Sequence, residues 1–217
     1  MSSRDHFTQE FWDARYRRHE RVWSGRPNAH LVTESGDLEP ARALDVGSGE
    51  GGDAVWLAGQ GWEVTGADVS VVALERARAN AAAAGPDIAA RTSWRHLDLF
   101  AEPGDWAPPG EYELVNSQYL HFPPEVRDRA LDRLAAAVAA GGHLLIVTHH
   151  PSDLEIPGLR PNLPELFCTP AELAAALDPA TWEIVTAAEP ARPGRGPNGQ
   201  PVTVRDTVLH ARRLRSA

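Results

Sequence analysis

Apolar residues along this chain recur at two spacings, near 3.6 residues and near 2, and the changes from one to the other lay out a run of helices and strands. Phe7, Phe11, Trp12 and Tyr16 share one face at helical spacing, with Arg15, Arg17, Arg18 and Arg21 elsewhere, which predicts a helix over residues 5–21. An irregular stretch, 22–28, follows. A β-prone run at 42–46 breaks abruptly into glycines and then into the helical pattern Asp53-Ala54-Val55-Trp56-Leu57-Ala58, which ends near Gly59 or Gly61. Further strands are expected at 62–68, 91–96, 112–117 and 143–148. Between them come a helix over 71–84, with Ser70 as N-cap and Gly85-Pro86 as its stop, and a helix over 124–140, in which Val126, Ala130, Leu134 and Val138 repeat every four residues. Residues 151–164 carry four prolines and read as a lid, not as a regular element. Thr169-Pro170-Ala171-Glu172 is a capping box that starts a short helix to about Leu177. The chain closes with strands at 182–187 and 202–212, joined by a loop over 190–201 that holds Gly194, Gly196 and Asn198-Gly199. Alternating units followed by an antiparallel pair predict an α/β, doubly wound, mostly parallel seven-stranded sheet with a C-terminal antiparallel hairpin.

Composition narrows the picture. A chain of 217 residues, 42% hydrophobic, suits one domain: an N-terminal helix and lid over 1–40 and a core over 41–217. A net charge of −9 argues against a nucleic-acid partner, since affinity for a phosphate backbone comes from clustered cations. The single cysteine, Cys168, has no internal disulfide partner, no apolar run reaches the roughly 18 residues that span a bilayer, and Met1–His6 lacks the apolar core of a signal peptide. A cytoplasmic protein without a membrane partner is the expectation; the oligomeric state stays open. All 21 basic residues are arginine, which removes lysine Schiff-base chemistry.

Candidate chemistry gathers around residues 43–52. Strand, glycine turn and helix follow one another there, so backbone N–H groups at the helix start face a ligand and the glycines let it approach closely. Gly47-x-Gly49-x-x-Gly52 fits a dinucleotide fingerprint, and Asp45-x-Gly47-x-Gly49-x-Gly51 fits a second nucleotide-type motif; the glycines alone do not choose. Asp68, at a strand end about twenty residues beyond the loop, suits a carboxylate that accepts both hydroxyls of a ribose. The segment 116–122 emerges at the carboxyl edge of the sheet, where Asn116, Gln118 and Tyr119 can orient an acceptor. His121, His149 and His150 reach the same edge, and His121 or His149 is a candidate general base. Adjacent residues of an extended segment point opposite ways, so at most one of His149 and His150 is expected to face a pocket. No spacing of a recognised metal motif is present, and no metal is expected. Cys168 precedes a helix cap without an obvious base partner, which gives it no nucleophilic role.

The motif order over 43–123, the Phe167-Cys168-Thr169-Pro170 helix start and the closing hairpin resemble class I S-adenosylmethionine-dependent methyltransferases, with Asp45 two residues before the first glycine. Within that class the Trp23-Ser24-Gly25-Arg26-Pro27-Asn28 lead-in and the size resemble the small bacterial tellurite-resistance and thiopurine-type enzymes. The resemblance implies a Rossmann-like fold that binds S-adenosylmethionine, methylates a small-molecule acceptor (thiol or selenol, or hydroxyl or amine) and releases S-adenosylhomocysteine. It implies a cofactor site of Asp45, Gly47, Ser48, Gly49, Gly51, Asp68, Val69, Asp98, Leu99 and Asn116, with Asp98 at the adenine amino group. It also implies a substrate-enclosing lid with Tyr16, Trp23 and Arg26, beside Tyr119 and His150. Glu113 matches an acidic position common in the class. A nicotinamide-dependent oxidoreductase and a non-catalytic S-adenosylmethionine-binding regulator remain the alternatives.

Overall fold

A computed structural model of the chain describes residues 8–99, 107–121 and 124–215. Phe7, most of the proline-rich loop before the fourth strand, and Phe122-Pro123 lie outside the described residues. The elements run α1 (Gln9–Arg18), α2 (Ala29–Ser35), β1 (Arg42–Val46), α3 (Gly52–Gly59), β2 (Glu63–Asp68), α4 (Val71–Ala84), α5 (Pro86–Ala90), β3 (Thr92–His96) and β4 (Tyr112–Gln118). They continue α6 (Pro124–Ala137), β5 (Val138–His149), α7 (Pro170–Ala175), β6 (Trp182–Ala188), β7 (Ala191–Arg195) and β8 (Pro201–Arg213).

Seven strands form one path, β3-β2-β1-β4-β5-β8-β6. Pairings among β1 to β5 are parallel, and β8 runs antiparallel to both β5 and β6. The order reverses between β1 and β4, which opens a crevice at the carboxyl ends of those two strands, the position at which open α/β sheets bind ligands. Alternation along the strands sends apolar residues to both faces. Leu44, Val46, Val115, Leu144 and Ile146 join one cluster with residues of α6 and α7. Ala43, Leu114, Leu145 and Val147 join the other with Leu57 of α3 and Leu31 of α2. Burial on both faces is what makes these strands read as apolar runs.

The local signals act as their chemistry dictates. Ser70 Oγ accepts from Ala73 N at 3.1 Å and opens α4, and Thr169 and Glu172 complete the capping box of α7. Three expectations need correction. The stretch 190–201 is not all loop, because β7 pairs antiparallel with the first half of β8 and adds an eighth strand among the described residues. Pro193 and Gly194 argue against a central strand, but β7 pairs on one side only, where a missing N–H is tolerated. The short helix α2, started by Asn28 Oδ1 accepting His30 N at 2.8 Å, has no counterpart in the apolar periodicity because it spans barely two turns. Residues 151–164, expected as a lid, are strapped to the sheet: buried Asp153 accepts Arg205 N at 3.0 Å and pairs with Arg160 at 2.8 Å.

Candidate functional site

The glycine turn is built from below. Asp45 of β1 and Asn116 of β4 are register partners on one face of the sheet, and Asn116 Nδ2 donates to Asp45 Oδ1 at 2.9 Å. Both are buried. Burial, and then the charge of Asp53, raise the Asp45 carboxyl well above the usual carboxylate range. Gly47 N and Ser48 N both donate to Ala67 O, at 2.8 and 3.0 Å, so the turn leans on β2. Gly47 and Gly49 take φ values of +75° and +53°, which favour glycine over any residue with a Cβ.

Asp68 fixes the next layer. Its two oxygens accept Gly49 N and Ser70 N, each at 2.8 Å, which ties the glycine turn to the start of α4. Each oxygen keeps a further lone pair for a ligand, and burial raises the carboxyl pKa.

From above, the N-terminal segment closes over the turn. Glu50, beside Gly49, accepts Val22 N at 3.1 Å and Trp23 N at 3.0 Å and pairs with Arg76 at 2.9 Å. Arg76 in turn donates to His19 O at 2.8 Å. Trp23 Nε1 donates to Tyr16 Oη at 2.8 Å, and the Arg15 guanidinium lies 5.6 Å from the Trp12 ring centre and 5.7 Å from that of Trp23. Asp13 holds α1 down by accepting Ser70 Oγ at 2.6 Å.

Together these elements enclose a cleft of about 560 Å³. One end is walled by Asp68, Val69, Leu97, Asp98 and Leu99, and the roof by Trp12, Tyr16, Trp23 and Arg26. The floor is Gly47, Ser48 and Gly49. The far end is walled by His30, Gln118, Tyr119, Arg192 and Asp206. Behind this wall, Ser48 Oγ and Gln118 Oε1 are buried with no hydrogen-bond partner among the described residues.

Several expected site residues stand elsewhere. Asp45 and Asn116 lie beneath the turn, not on the cleft wall. Gly51 does not face the cleft either; a Cβ there would lie 2.6 Å from the Trp94 ring, so its bareness serves packing. His121, His149 and His150 are absent from the described wall; the Tyr119 ring lies over His149, with ring centres 4.5 Å apart. Tyr119 takes φ +54°, the left-handed region, as the one described non-glycine residue with positive φ. His121 packs on His149 and Phe167, and burial pushes it down to about 3, which leaves it a weak base. His150 caps the 3-10 turn after β5 and lies 3.4 Å from Glu189. Glu113 pairs with Arg42 on the surface, at 3.2 Å, away from the cleft.

A cluster at the far end escaped the sequence reading. Asp206 is fully buried and accepts Arg192 Nε at 2.5 Å and Arg192 Nη2 at 3.1 Å. His30 Nε2 lies 3.1 Å from Asp206 Oδ2, His149 Nδ1 lies 3.8 Å from Oδ1, and Arg192 Nη2 lies 3.4 Å from Tyr119 Oη. Burial alone would raise the Asp206 carboxyl, but contacts with His149, His30 and Arg192 outweigh it and hold the group far below the usual carboxylate range. Burial and the Asp206 charge push the Tyr119 phenol up to about 12. One signal was available: Asp206 interrupts the inward series Val204, Val208 of β8.

Residues 43–142 match the family model of a methyltransferase domain. Over 141 residues the chain is 33% identical to Uncharacterized protein Rv1403c of Mycobacterium tuberculosis and to Uncharacterized protein Mb1438c of Mycobacterium bovis, covering 62% of this chain. It spans 48%, about half, of the length of these curated relatives. Among solved structures, one described for the conversion of a disulfide bond into a thioacetal group during echinomycin biosynthesis is similar, at 24% identity, 96% of this chain, 93% of that chain and a TM-score of 0.72. TehB from Haemophilus influenzae is similar at 17% identity, 94% and 66% coverage and a TM-score of 0.68. An S-adenosylmethionine-dependent methyltransferase from Mesorhizobium loti is similar at 22% identity, 85% and 96% coverage and a TM-score of 0.60. At these identities the likeness establishes the fold.

Proposed function

We propose that this protein, whose residues 43–142 match a methyltransferase domain, is a class I S-adenosylmethionine-dependent enzyme that methylates a small-molecule acceptor bound at the His30–Asp206 end of the cleft. The observation that carries the reading is that Asp68 and the glycine turn from Gly47 to Gly49 line one roofed cleft, the far end of which is polar and separately built. Asp68 would take the ribose hydroxyls with its remaining lone pairs. Val69, Leu97 and Leu99 would pack on the adenine, with Asp98 beside its amino group. Gly47, Ser48 and Gly49 would lie along the amino-acid portion. Asp45 and Asn116 would act one layer below, by setting the turn.

The bound cofactor supplies an activated methyl group on a sulfonium, so the chain's own task is to orient the acceptor in line and exclude water. Tyr16, Trp23 and Arg26 would close the roof, and Gln118 and Tyr119 would orient the acceptor. The Trp23–Asn28 lead-in, the basis of the resemblance to the tellurite-resistance and thiopurine-type group, walls the cleft, and its acceptor class is left to the chemistry of the far end.

Calorimetric titration with S-adenosylmethionine, S-adenosylhomocysteine and NAD in parallel tests the reading. Binding of the two adenosyl ligands, weakened in Asp68→Asn, is expected. Binding of NAD alone would replace the reading with the oxidoreductase alternative, and adenosyl binding without turnover of any acceptor would favour a regulatory protein.

A further inference from the structure

We propose that His30, oriented by Asp206, takes the proton from the methyl acceptor, and that the cleft accordingly serves a neutral acceptor whose attacking oxygen is protonated at neutral pH, a hydroxyl of phenol or enol type. The proposal rests on the methyltransferase reading above.

The tautomer follows from the partners of Asp206. A buried carboxylate that takes two N–H bonds from Arg192 is ionised and can only accept. The contact of 3.1 Å between His30 Nε2 and Asp206 Oδ2 therefore places the imidazole proton on Nε2. Nδ1 then carries the lone pair, and it has no hydrogen-bond partner among the described residues. His30 lines the cleft, at the end away from Asp68.

The helix that carries the ring is also held at both ends. Asn28 Oδ1 accepts His30 N at 2.8 Å, and one turn later Glu34 lies 2.9 Å from His210 Nδ1 and accepts Thr186 Oγ1 at 2.8 Å. Helix α2 is thus fixed to β8 at two points, His30–Asp206 and Glu34–His210. An acid that orients an imidazole and stabilises its protonated form is the arrangement general-base catalysis requires.

Charge selects the acceptor class. Arg192 and Asp206 cancel, and Asp53 is engaged by Asn28 N at 2.6 Å, so neither carboxyl is left free to hold an ammonium group. A thiol ionises near neutral pH without help, whereas a hydroxyl needs a base. As the new oxygen–methyl bond forms, the hydroxyl proton passes to His30 Nδ1. The carbon–sulfur bond of the donor breaks with its electron pair left on sulfur. The imidazolium, paired with Asp206, afterwards gives its proton to water. The other titratable groups around the His30–Asp206 pair are His149 of β5 and Arg192 of β7, both in contact with Asp206, Tyr119 after β4, which meets Arg192, and Asp53 of α3, which accepts Asn28 N.

Two measurements on the full chain test this. In protein labelled with 15N-histidine, His30 should show Nε2–H and an unprotonated, pyridine-type Nδ1, a preference lost in Asp206→Asn; an Nδ1–H tautomer in the wild type would overturn the proposal. In the second, S-adenosylhomocysteine release is followed with matched series of 4-substituted phenols and thiophenols. His30→Gln should lose roughly 100-fold or more in kcat/KM on the phenols and less than about 10-fold on the thiophenols, the lower range for general-base catalysis. Its S-adenosylhomocysteine Kd should not change. Equal losses on both series, undiminished phenol turnover, or a wild type that accepts no phenol would each overturn it. Failure of the wild type to bind either adenosyl ligand would instead sink the methyltransferase reading.

Discussion

Trp23 Nε1 donates to Tyr16 Oη at 2.8 Å directly above Gly49, so close that a Cβ on that glycine would lie 2.9 Å from the hydroxyl and 3.2 Å from the indole nitrogen. The roof and the glycine turn are therefore one structure, and the two glycines that flank Glu50 have different jobs. Gly49 faces the roof, and Gly51 faces the Trp94 ring.

That difference can be measured. Gly49→Ala forces a residue with a Cβ into φ +53° at a cost of about 1–2 kcal/mol and pushes the roof away. S-adenosylhomocysteine binding should weaken roughly 10-fold or more, beyond what the lost stability explains, because about 1.4 kcal/mol is tenfold in affinity. Gly51→Ala adds overpacking against Trp94, about 1–3 kcal/mol more, to a similar backbone cost. Its Tm should fall further while its Kd, measured well below Tm, stays near wild type. The opposite ranking would show that Gly51 faces the cofactor.

Glu50→Ala removes the strap of the roof. It leaves Val22 N and Trp23 N without their acceptor and the Arg76 guanidinium unpaired. Breaking a buried pair by deleting one member costs about 3–5 kcal/mol, and Arg76, 27% exposed, recovers part of its solvation, so about 2 kcal/mol is expected. Limited proteolysis should cut the segment around Trp23 faster while the core resists. Unchanged cleavage there would disconnect the strap from the lid.

Stability should respond to pH through two carboxyls of opposite sign, half-buried Asp53 and buried Asp206. Burial pushes Asp53 up to about 6, against about 3.9 in the unfolded chain. The native state thus binds more protons between those values, and this contribution, complete below about pH 4, is lost as pH rises through 6, by at most about 1.4 kcal/mol per unit. Asp206 is held far below its ordinary value, so its contribution is present above about pH 4 and lost as pH falls. Urea titrations should show that Asp53→Asn, which keeps an oxygen for Asn28 N, gains on the wild type from pH 4 to 6.5. A parallel pair of curves would remove Asp53 from the account.

What the sequence made legible was local. The glycine turn, Asp68 and the cap at Ser70 are each decided within a few residues of strand, turn and helix start, and the structure places them as the spacing predicts. The far end of the cleft is not local: His30 and Asp206 are 176 positions apart and meet through the antiparallel return of β8 and a helix of barely two turns. Arg192 sits on a strand that its neighbours Pro193 and Gly194 disguise as loop. The three histidines at the strand ends were the visible candidates for a base, yet strand position alone could not reveal that the Tyr119 ring would lie across His149. His121 carries the consequence. Because burial holds it neutral down to about pH 3, the unfolded state gains protons on it below about 6.5, and stability falls as pH drops through that window. His121→Leu should therefore gain stability on the wild type at pH 5 relative to pH 8, with turnover reduced less than about 10-fold, well short of a lost general base. A loss of 100-fold would return His121 to the catalytic centre.

Tyr119 joins the strain of the backbone to the polar end of the cleft. A tyrosine at φ +54° costs about 1–2 kcal/mol, so its surroundings must hold it there: the ring stacks on His149, and the hydroxyl meets Arg192 at 3.4 Å. A phenol pushed up to about 12 stays protonated at any pH the protein survives, so it positions groups and does not exchange protons with the acceptor. Tyr119→Phe keeps the ring and the turn but takes a partner from Arg192, a hydrogen bond worth about 1 kcal/mol. Roughly 5-fold lower kcat/KM toward the acceptor is expected, carried mainly by KM, with the S-adenosylhomocysteine Kd unchanged. Tyr119→Gly relieves the backbone but uncovers His149, and it should lose more than Tyr119→Phe because the ring, not the hydroxyl alone, covers that histidine. If Tyr119→Phe weakened cofactor binding as much as acceptor use, the division of the cleft into two ends would fail.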